Sequence, residues 1–474
     1  MKRKRTFIIL QIKKGICVLL CVMLLFAPVS CTRPDRPDPQ NPVRLTIWHT
    51  YVEQMGDAFH SLVDEFNNTV GAQQGIVIEV GSVSNSSELN ERLLDAAEGM
   101  PGAVALPDIM LAYPQIAVLL AEKGLLADLG AYFSEAEFSL FVPQFLNEGK
   151  LGGETQYLLP VAKSTEVLYL NRTLFDRFSA ATGADRSKLS TFEGIIALSA
   201  QYYEWTDAAT PDILNDGKAF YYPNDNFNFT MVGFAQLGKD FLSGERLNLQ
   251  DPLFEKIWGS YFRPAVVGGV AIFDKFGNYI AMTGDTVCYT NTSAGAIYYP
   301  DSVTYADNTK EDVVFEVLPY PVFEGGKKIA VQRGAGMCVL AAEAKREYAA
   351  ALFLKWLTEP RQNLRMTSSM GYLPVTIEAF EQMRQMGDAL SDNEKIQKML
   401  MTAIAMQDAY EFYIPPVFHT YDALADAYNE SVYELMKHDR TRYLEYIRFN
   451  ESPESAWNRA SGDAQSRLRR NLGQ

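Results

Sequence analysis

Two spacings of apolar residues alternate along this chain. Val43, Leu45 and Ile47 alternate with Arg44, Thr46 and Trp48, the period of a half-buried strand. Met55, Phe59, Leu62, Val63 and Phe66 then recur at helical spacing. Residues 76–78 (Ile-Val-Ile) predict a second strand, and Leu89, Leu93, Leu94 and Ala97 a second helix behind Ser86 and Ser87. Residues 107–110 predict a short third strand. A further helix begins near Pro114 and stops at Lys123–Gly124, with proline at its start and glycine past its end. This succession predicts an α/β fold built on mostly parallel sheet covered by helices.

The stretch 157–175 breaks the rhythm. Two apolar runs flank Lys163, Ser164, Thr165 and Glu166 without a turn signal, and Pro160 denies its position to a helix. A strand that is apolar, then polar for four residues, then apolar again leaves one core and enters another. It is a candidate hinge between two lobes, with its polar residues lining the gap. Downstream, Ser190 and Glu193 have the spacing of a capping box, opening a helix through Ile195, Ile196 and Ser199. Residues 207–250, rich in Gly, Asn and aromatics, show no clean period. A return strand and turn at 284–299 and a strand pair at 329–340 follow. After them come a helix from Glu343 to Glu359–Pro360 and a last helix carrying Trp457, Ala460, Ala464 and Leu468.

A chain of 474 residues suggests two domains or more. Its first residues change the picture of where it works. Lys2 to Arg5, Lys13 and Lys14 precede an apolar run over 16–29, the order of a secretory signal. That run is shorter than the roughly 18 residues a membrane span needs. Ser30–Cys31 resembles a bacterial lipobox with Cys31 acylated, although Pro28 stands where leucine is usual; a cleaved soluble protein is the alternative. Pro34, Pro37, Pro39 and Pro42 predict an extended, solvated tether over 31–42. The formal charge is −15, and every charge within residues 1–30 is basic, so the rest is more acidic still. Such a body lacks the basic surface that nucleic acid requires. Cys17 and Cys21 leave with the signal; Cys288 and Cys338 sit among apolar neighbours and predict two buried thiols, a disulfide being the alternative. No Cys/His spacing suits zinc.

The crossover stretch, with Leu-Thr-Ile-Trp-His at 45–49 and Met-Gly-Tyr-Leu-Pro-Val at 370–375, resembles the extracellular solute-binding proteins of ABC importers. That large branch includes maltodextrin-, other sugar- and glycerol-3-phosphate-binding proteins. The resemblance implies a two-lobed periplasmic-binding-protein fold (type II) with three hinge crossovers and the ligand in the cleft. It implies a signal peptide at 1–30, a lipid-anchored tether at 31–42, a first lobe of 43–161 plus 284–334, and a second of 162–283 plus 335–474. It also implies an exported, surface-held monomer, facing periplasm or exterior. Such a monomer delivers solute to a permease and, through it, the ATPase, with no cofactor, metal or catalysis.

Tyr51 and His49 follow the first strand, where open sheets expose strand ends to ligands; the alternative is that His49 caps the next helix. Lys163, Ser164 and Thr165 sit in the crossover. Tyr222, Asn224 and Phe227 fall where the resemblance places cleft aromatics, and a core role is equally compatible. Asn291 and Ser293, with Thr290 and Thr292, offer amide and hydroxyl groups for a polyol. Arg333–Gly334 resembles the second return, with Arg333 either gripping a ligand or bridging the lobes, and Tyr372 matches a family cleft tyrosine. In the glycerol-3-phosphate branch an arginine after a Pro-Pro-rich stretch holds the phosphate. Here 415–424 has no Arg or Lys and offers His419 instead, which favours an uncharged sugar or polyol. Three alternatives stay open: glycerol-3-phosphate or a glycerophosphodiester; ferric iron on the paired tyrosines 202–203, 221–222 or 298–299; and an exported glycoside hydrolase. The chain has four histidines and no Gly-x-Ser-x-Gly elbow.

Overall fold

The structure, a computed structural model, describes residues 36–213 and 215–474. The alternation at 43–49 becomes strand Val43–His49, with Leu45 and Ile47 fully buried beneath the helix Glu53–Phe66. Ile76–Ser82 and Ile109–Ala112 flank that strand in parallel. Gly336–Val339 pairs antiparallel with Ile109–Ala112, and Leu158–Pro160 pairs antiparallel with Gly336–Val339 at the edge of the same sheet. A second sheet is centred on Ser164–Asn171. Cys288–Thr292, Phe315–Pro319 and Ile329–Arg333 run antiparallel to it, while Tyr221–Pro223 and Glu411–Tyr413 join parallel at the edges. Both sheets are therefore mixed, where the pattern predicted mostly parallel pairing. A strand arriving through a hinge needs no helical return and is free to pair antiparallel.

The lobes divide differently from the sequence expectation. Residues 284–334 were expected in the first lobe, yet their strands at 288–292, 315–319 and 329–333 all pair with Ser164–Asn171 in the second sheet. Residues from 335 were expected in the second lobe. Instead Gly336–Val339 completes the first sheet and the helix Ala344–Leu357 packs on its Val43–His49 strand. An apolar strand reads alike whichever sheet it completes, so periodicity carries no sign of the exchange. The chain passes between lobes at 161–163 and at 334–335, and again after Gly371, before the helix Glu394–Ala409 packs on Phe315–Pro319. Lys163 and Leu373 exchange both backbone hydrogen bonds, so the first and third passages run side by side.

Three local expectations change as well. The helix Phe192–Asp207 is capped by Thr191, whose side chain accepts the Gly194 N–H, while Glu193 turns away to accept the Glu324 N–H; the box expected on Ser190 is absent. The helix Asn226–Gln236 lies inside the aperiodic region. It buries residues on nearly every side, which erases an amphipathic period. The described end of the tether is not free. Arg36 stacks on the Tyr348 ring at 3.7 Å, and the Asp38 carbonyl lies so near Gly75 (φ 72°) that any side chain there would collide. Cys31 and the signal segment lie outside the described residues. Cys288 and Cys338 are free thiols buried in different sheets, and burial pushes both up. Among the described residues no helix is long and apolar enough to cross a membrane.

Candidate functional site

Strand ends deliver the first lobe's contribution. Tyr51 follows Val43–His49 and Tyr113 follows Ile109–Ala112, the carboxyl ends of two parallel neighbours. Tyr372, on the third passage, meets Tyr51 edge-on with ring centroids 6.4 Å apart. Burial, reinforced by Tyr372 and Tyr113, pushes the Tyr51 phenol well up. Burial also raises Tyr372, with Tyr113 and Tyr298 adding and Arg333 opposing, so these rings and the guanidinium share one neighbourhood.

Arg333 ends the strand Ile329–Arg333 opposite Ser164 and reaches diagonally to Glu166. Its Nη1 donates to Glu166 Oε1 at 2.7 Å, and Asn228 Nδ2 donates to the same oxygen at 3.1 Å. The Glu166 side chain is 5% exposed and that of Arg333 36%, so the anion is sunk in the wall while the cation reaches the cleft. Burial raises the Glu166 pKa, Arg333 opposes the rise and Asp225 adds to it. Burial works against the Arg333 charge, but Glu166 and Asp225 outweigh it and hold its pKa up. From the second lobe, Asp225 caps the helix Asn226–Gln236 through the Asn228 N–H at 3.0 Å and accepts Asn429 Nδ2 at 3.2 Å. Tyr421 begins the long helix Tyr421–Arg448 close to both Asp225 and Arg333. Tyr298, half in solvent, faces Glu53 of the first lobe.

Of the residues singled out from the sequence, the structure brings Tyr51, Arg333 and Tyr372 together here. Lys163 is elsewhere: fully buried, its Nζ bonds Glu148 and donates to the Gly334 carbonyl at 2.7 Å. Thr165 Oγ1 donates to the Val331 carbonyl, its N–H bonds Ser293 Oγ, and Thr292 Oγ1 donates to Ser164 Oγ, so these hydroxyls serve the sheet. Asn291 folds onto the Thr292 N–H at 2.7 Å. Tyr222 donates to the Phe273 and Lys275 carbonyls, and Asn224 accepts the Gly277 N–H. Phe227 is 1% exposed among Phe241, Tyr421 and Tyr428, a core ring. Gly334 (φ 97°) admits contact between two passages, since an added Cβ would stand 2.7 Å from the Ala162 carbonyl oxygen. His419 is exposed, just before the long helix. Tyr113, Asp225 and Tyr421 were missed, while Glu166 was read only as one of the polar residues lining the gap and Tyr298 only as half of a tyrosine pair for iron. Tyr113 was within reach, because it follows a predicted strand just as Tyr51 does.

The hydroxyls of the pair 221–222 do not converge. Tyr221 bonds Thr290 while its neighbour Tyr222 bonds carbonyls elsewhere, as expected for consecutive strand residues on opposite faces. Among the described residues no group of three or more His, Cys, Asp or Glu is arranged to hold a metal.

His49 does not cap the next helix. It is fully buried, and its Nδ1 accepts the Tyr51 N–H at 3.0 Å, which leaves the proton on Nε2. Burial, then the nearby His60, lower its pKa from 6.5 to about 4. The unfolded chain thus binds a proton that the fold refuses, and stability falls as pH drops from 6.5 toward 4. The full loss below that window is roughly 3 kcal/mol. Urea midpoints compared at the two ends of the window should show this slope, and His49→Asn should flatten it. An unchanged slope in that variant would refute the assignment.

No curated protein sequence matches the chain. Solved structures do. The cyclic α-maltosyl-1,6-maltose binding protein from Arthrobacter globiformis superposes with TM-score 0.63 at 19% identity, covering 91% of this chain and 100% of its own. The ABC substrate-binding protein Lmo0181 from Listeria monocytogenes in complex with cycloalternan gives 0.63 at 15% identity, with the same coverage. UgpB from Mycobacterium tuberculosis in complex with glycerophosphocholine gives 0.62 at 16% identity, again covering 91% and 100%. These likenesses establish the shared two-lobed α/β fold. The sequence pattern of the bacterial extracellular solute-binding proteins matches residues 61–398, more than half of the sequence, and the chain belongs to that family.

Proposed function

We propose that the protein captures a carbohydrate or polyol in the interlobe cleft and delivers it to an ABC permease, acting as a binding protein and not as an enzyme. The observation that carries this reading is the meeting of Tyr51 from the first lobe, Tyr372 from a hinge passage and the partly exposed Arg333. Rings suit the apolar C–H faces of a sugar, and the guanidinium and phenols suit its hydroxyl rim. Two of the three similar structures carry saccharides in their names, which supports the same class here. Groups contributed by both lobes favour closure, because they touch the ligand together only in the closed form.

A thermal-shift series of mono- and oligosaccharides, polyols and glycerophosphocholine tests this. A saccharide or polyol should raise the midpoint, since it binds only the native form. Tyr372→Ala should then weaken that ligand roughly tenfold, about the contribution of one stacked ring in a cleft. A shift with glycerophosphocholine alone would replace the carbohydrate reading.

A further inference from the structure

One wall of the cleft is more acidic than a neutral sugar requires. Asp422 and Asp426 stand one turn apart on the exposed face of the helix Tyr421–Arg448, a spacing at which like charges repel. Burial, then Asp225, push the Asp426 carboxyl up; burial, then Asp426, push Asp422 up. Asp225 Oδ1 accepts Asn429 Nδ2 at 3.2 Å, and Asp426 lies one turn before Asn429 on the same helix, so the three carboxylates follow one another along its first turns. Among the described residues none of them has an ion-pair partner, and the nearby cation, Arg333, is already bonded to Glu166.

A second observation falls beside the same wall. Tyr320 is 1% exposed and its hydroxyl has no partner. Pro319 pairs with Val167 in the antiparallel ladder, so the next position sets Tyr320 opposite Glu166, on the same face of the sheet. Burial, with Glu166, Tyr221 and Asp225 adding and Arg333 opposing, raises this phenol. A buried hydroxyl without a partner is an unfilled hydrogen bond, here beside Glu166.

Resting on the carbohydrate reading above, we infer that the solute is an amine-bearing saccharide, its ammonium held between Asp225 and Asp426 and a neighbouring hydroxyl bonded to Tyr320. The carboxylates without an ion pair and the hydroxyl without a partner are then complementary to one ligand.

Calorimetric titration of the purified protein with a glucosamine trimer and with its N-acetylated counterpart, at a pH where the free amines are protonated, isolates the charge. The amine form should bind roughly tenfold more tightly, through charge-assisted contacts. The preference should shrink as salt is added. It should vanish in the double variant Asp225→Asn, Asp426→Asn. Asparagine still caps a helix, so an unaltered unliganded melting midpoint verifies folding. Equal or tighter binding of the N-acetylated trimer, or a preference that survives the double variant, overturns the inference and leaves the carbohydrate reading standing. Absence of binding by every saccharide, malto-oligosaccharides included, overturns both.

Discussion

Lys163→Met is expected to lower the stability of the protein by about 3–5 kcal/mol, the usual cost of breaking a buried ion pair. The Lys163 side chain is 0% exposed and Glu148 6%, and the ammonium also holds the Gly334 carbonyl. Removing it strands a carboxylate and a carbonyl away from water, and their desolvation is no longer compensated. The position magnifies the effect. Lys163 lies in the first passage between lobes, Gly334 in the second, and the Lys163 backbone is paired to Leu373 of the third. One ammonium therefore ties the hinge together. Adding Glu148→Leu to Lys163→Met should recover most of the loss, because an apolar pair of similar volume carries no stranded charge. Urea unfolding of the two variants beside the parent decides it. A loss below about 1 kcal/mol in the single variant would show that the pair does not hold the passages.

Arg333→Met should cost about 2 kcal/mol near neutral pH, less than a fully buried pair because one-third of the Arg333 side chain is in solvent. Its distinguishing feature is the dependence on pH. Burial already raises the Glu166 pKa against the opposition of Arg333, so loss of the guanidinium raises it further. Between the unfolded carboxyl value of about 4.3 and that elevated value, the fold keeps a proton that the unfolded chain releases. Stability of the variant should then fall as pH rises through this window, the opposite sense to the His49 effect. Glu166→Gln in the same background should remove the dependence. If the Arg333→Met penalty is the same at both ends of the window, Glu166 does not titrate there.

How far the site could be read from residues alone differs from one position to the next. The stretch 157–175 was legible as a hinge because a polar interruption inside an apolar strand leaves no packed alternative, and the passage at 161–163 follows. Tyr51 and Tyr372, singled out through a strand end and a resemblance, meet in the structure. Lys163 was misread as ligand-facing, since a charge at a hinge looks solvated until its partner Glu148 is brought to it from a separate helix. Asp225 sat in a region with no period, because the helix it caps is buried on nearly all sides.

The order of strands and helices, the family and the place where the chain first changes lobes were determined by the sequence itself. They depend on local spacing of apolar residues and on short segments that keep their meaning wherever they are placed. Tertiary structure alone decided which sheet residues 284–334 complete, which charges cancel and which stay open to a ligand. Those outcomes depend on pairs far apart in the chain, Arg333 with Glu166 and Lys163 with Glu148 and Gly334. Neither hydropathy nor spacing carries information about which buried charge will find a partner.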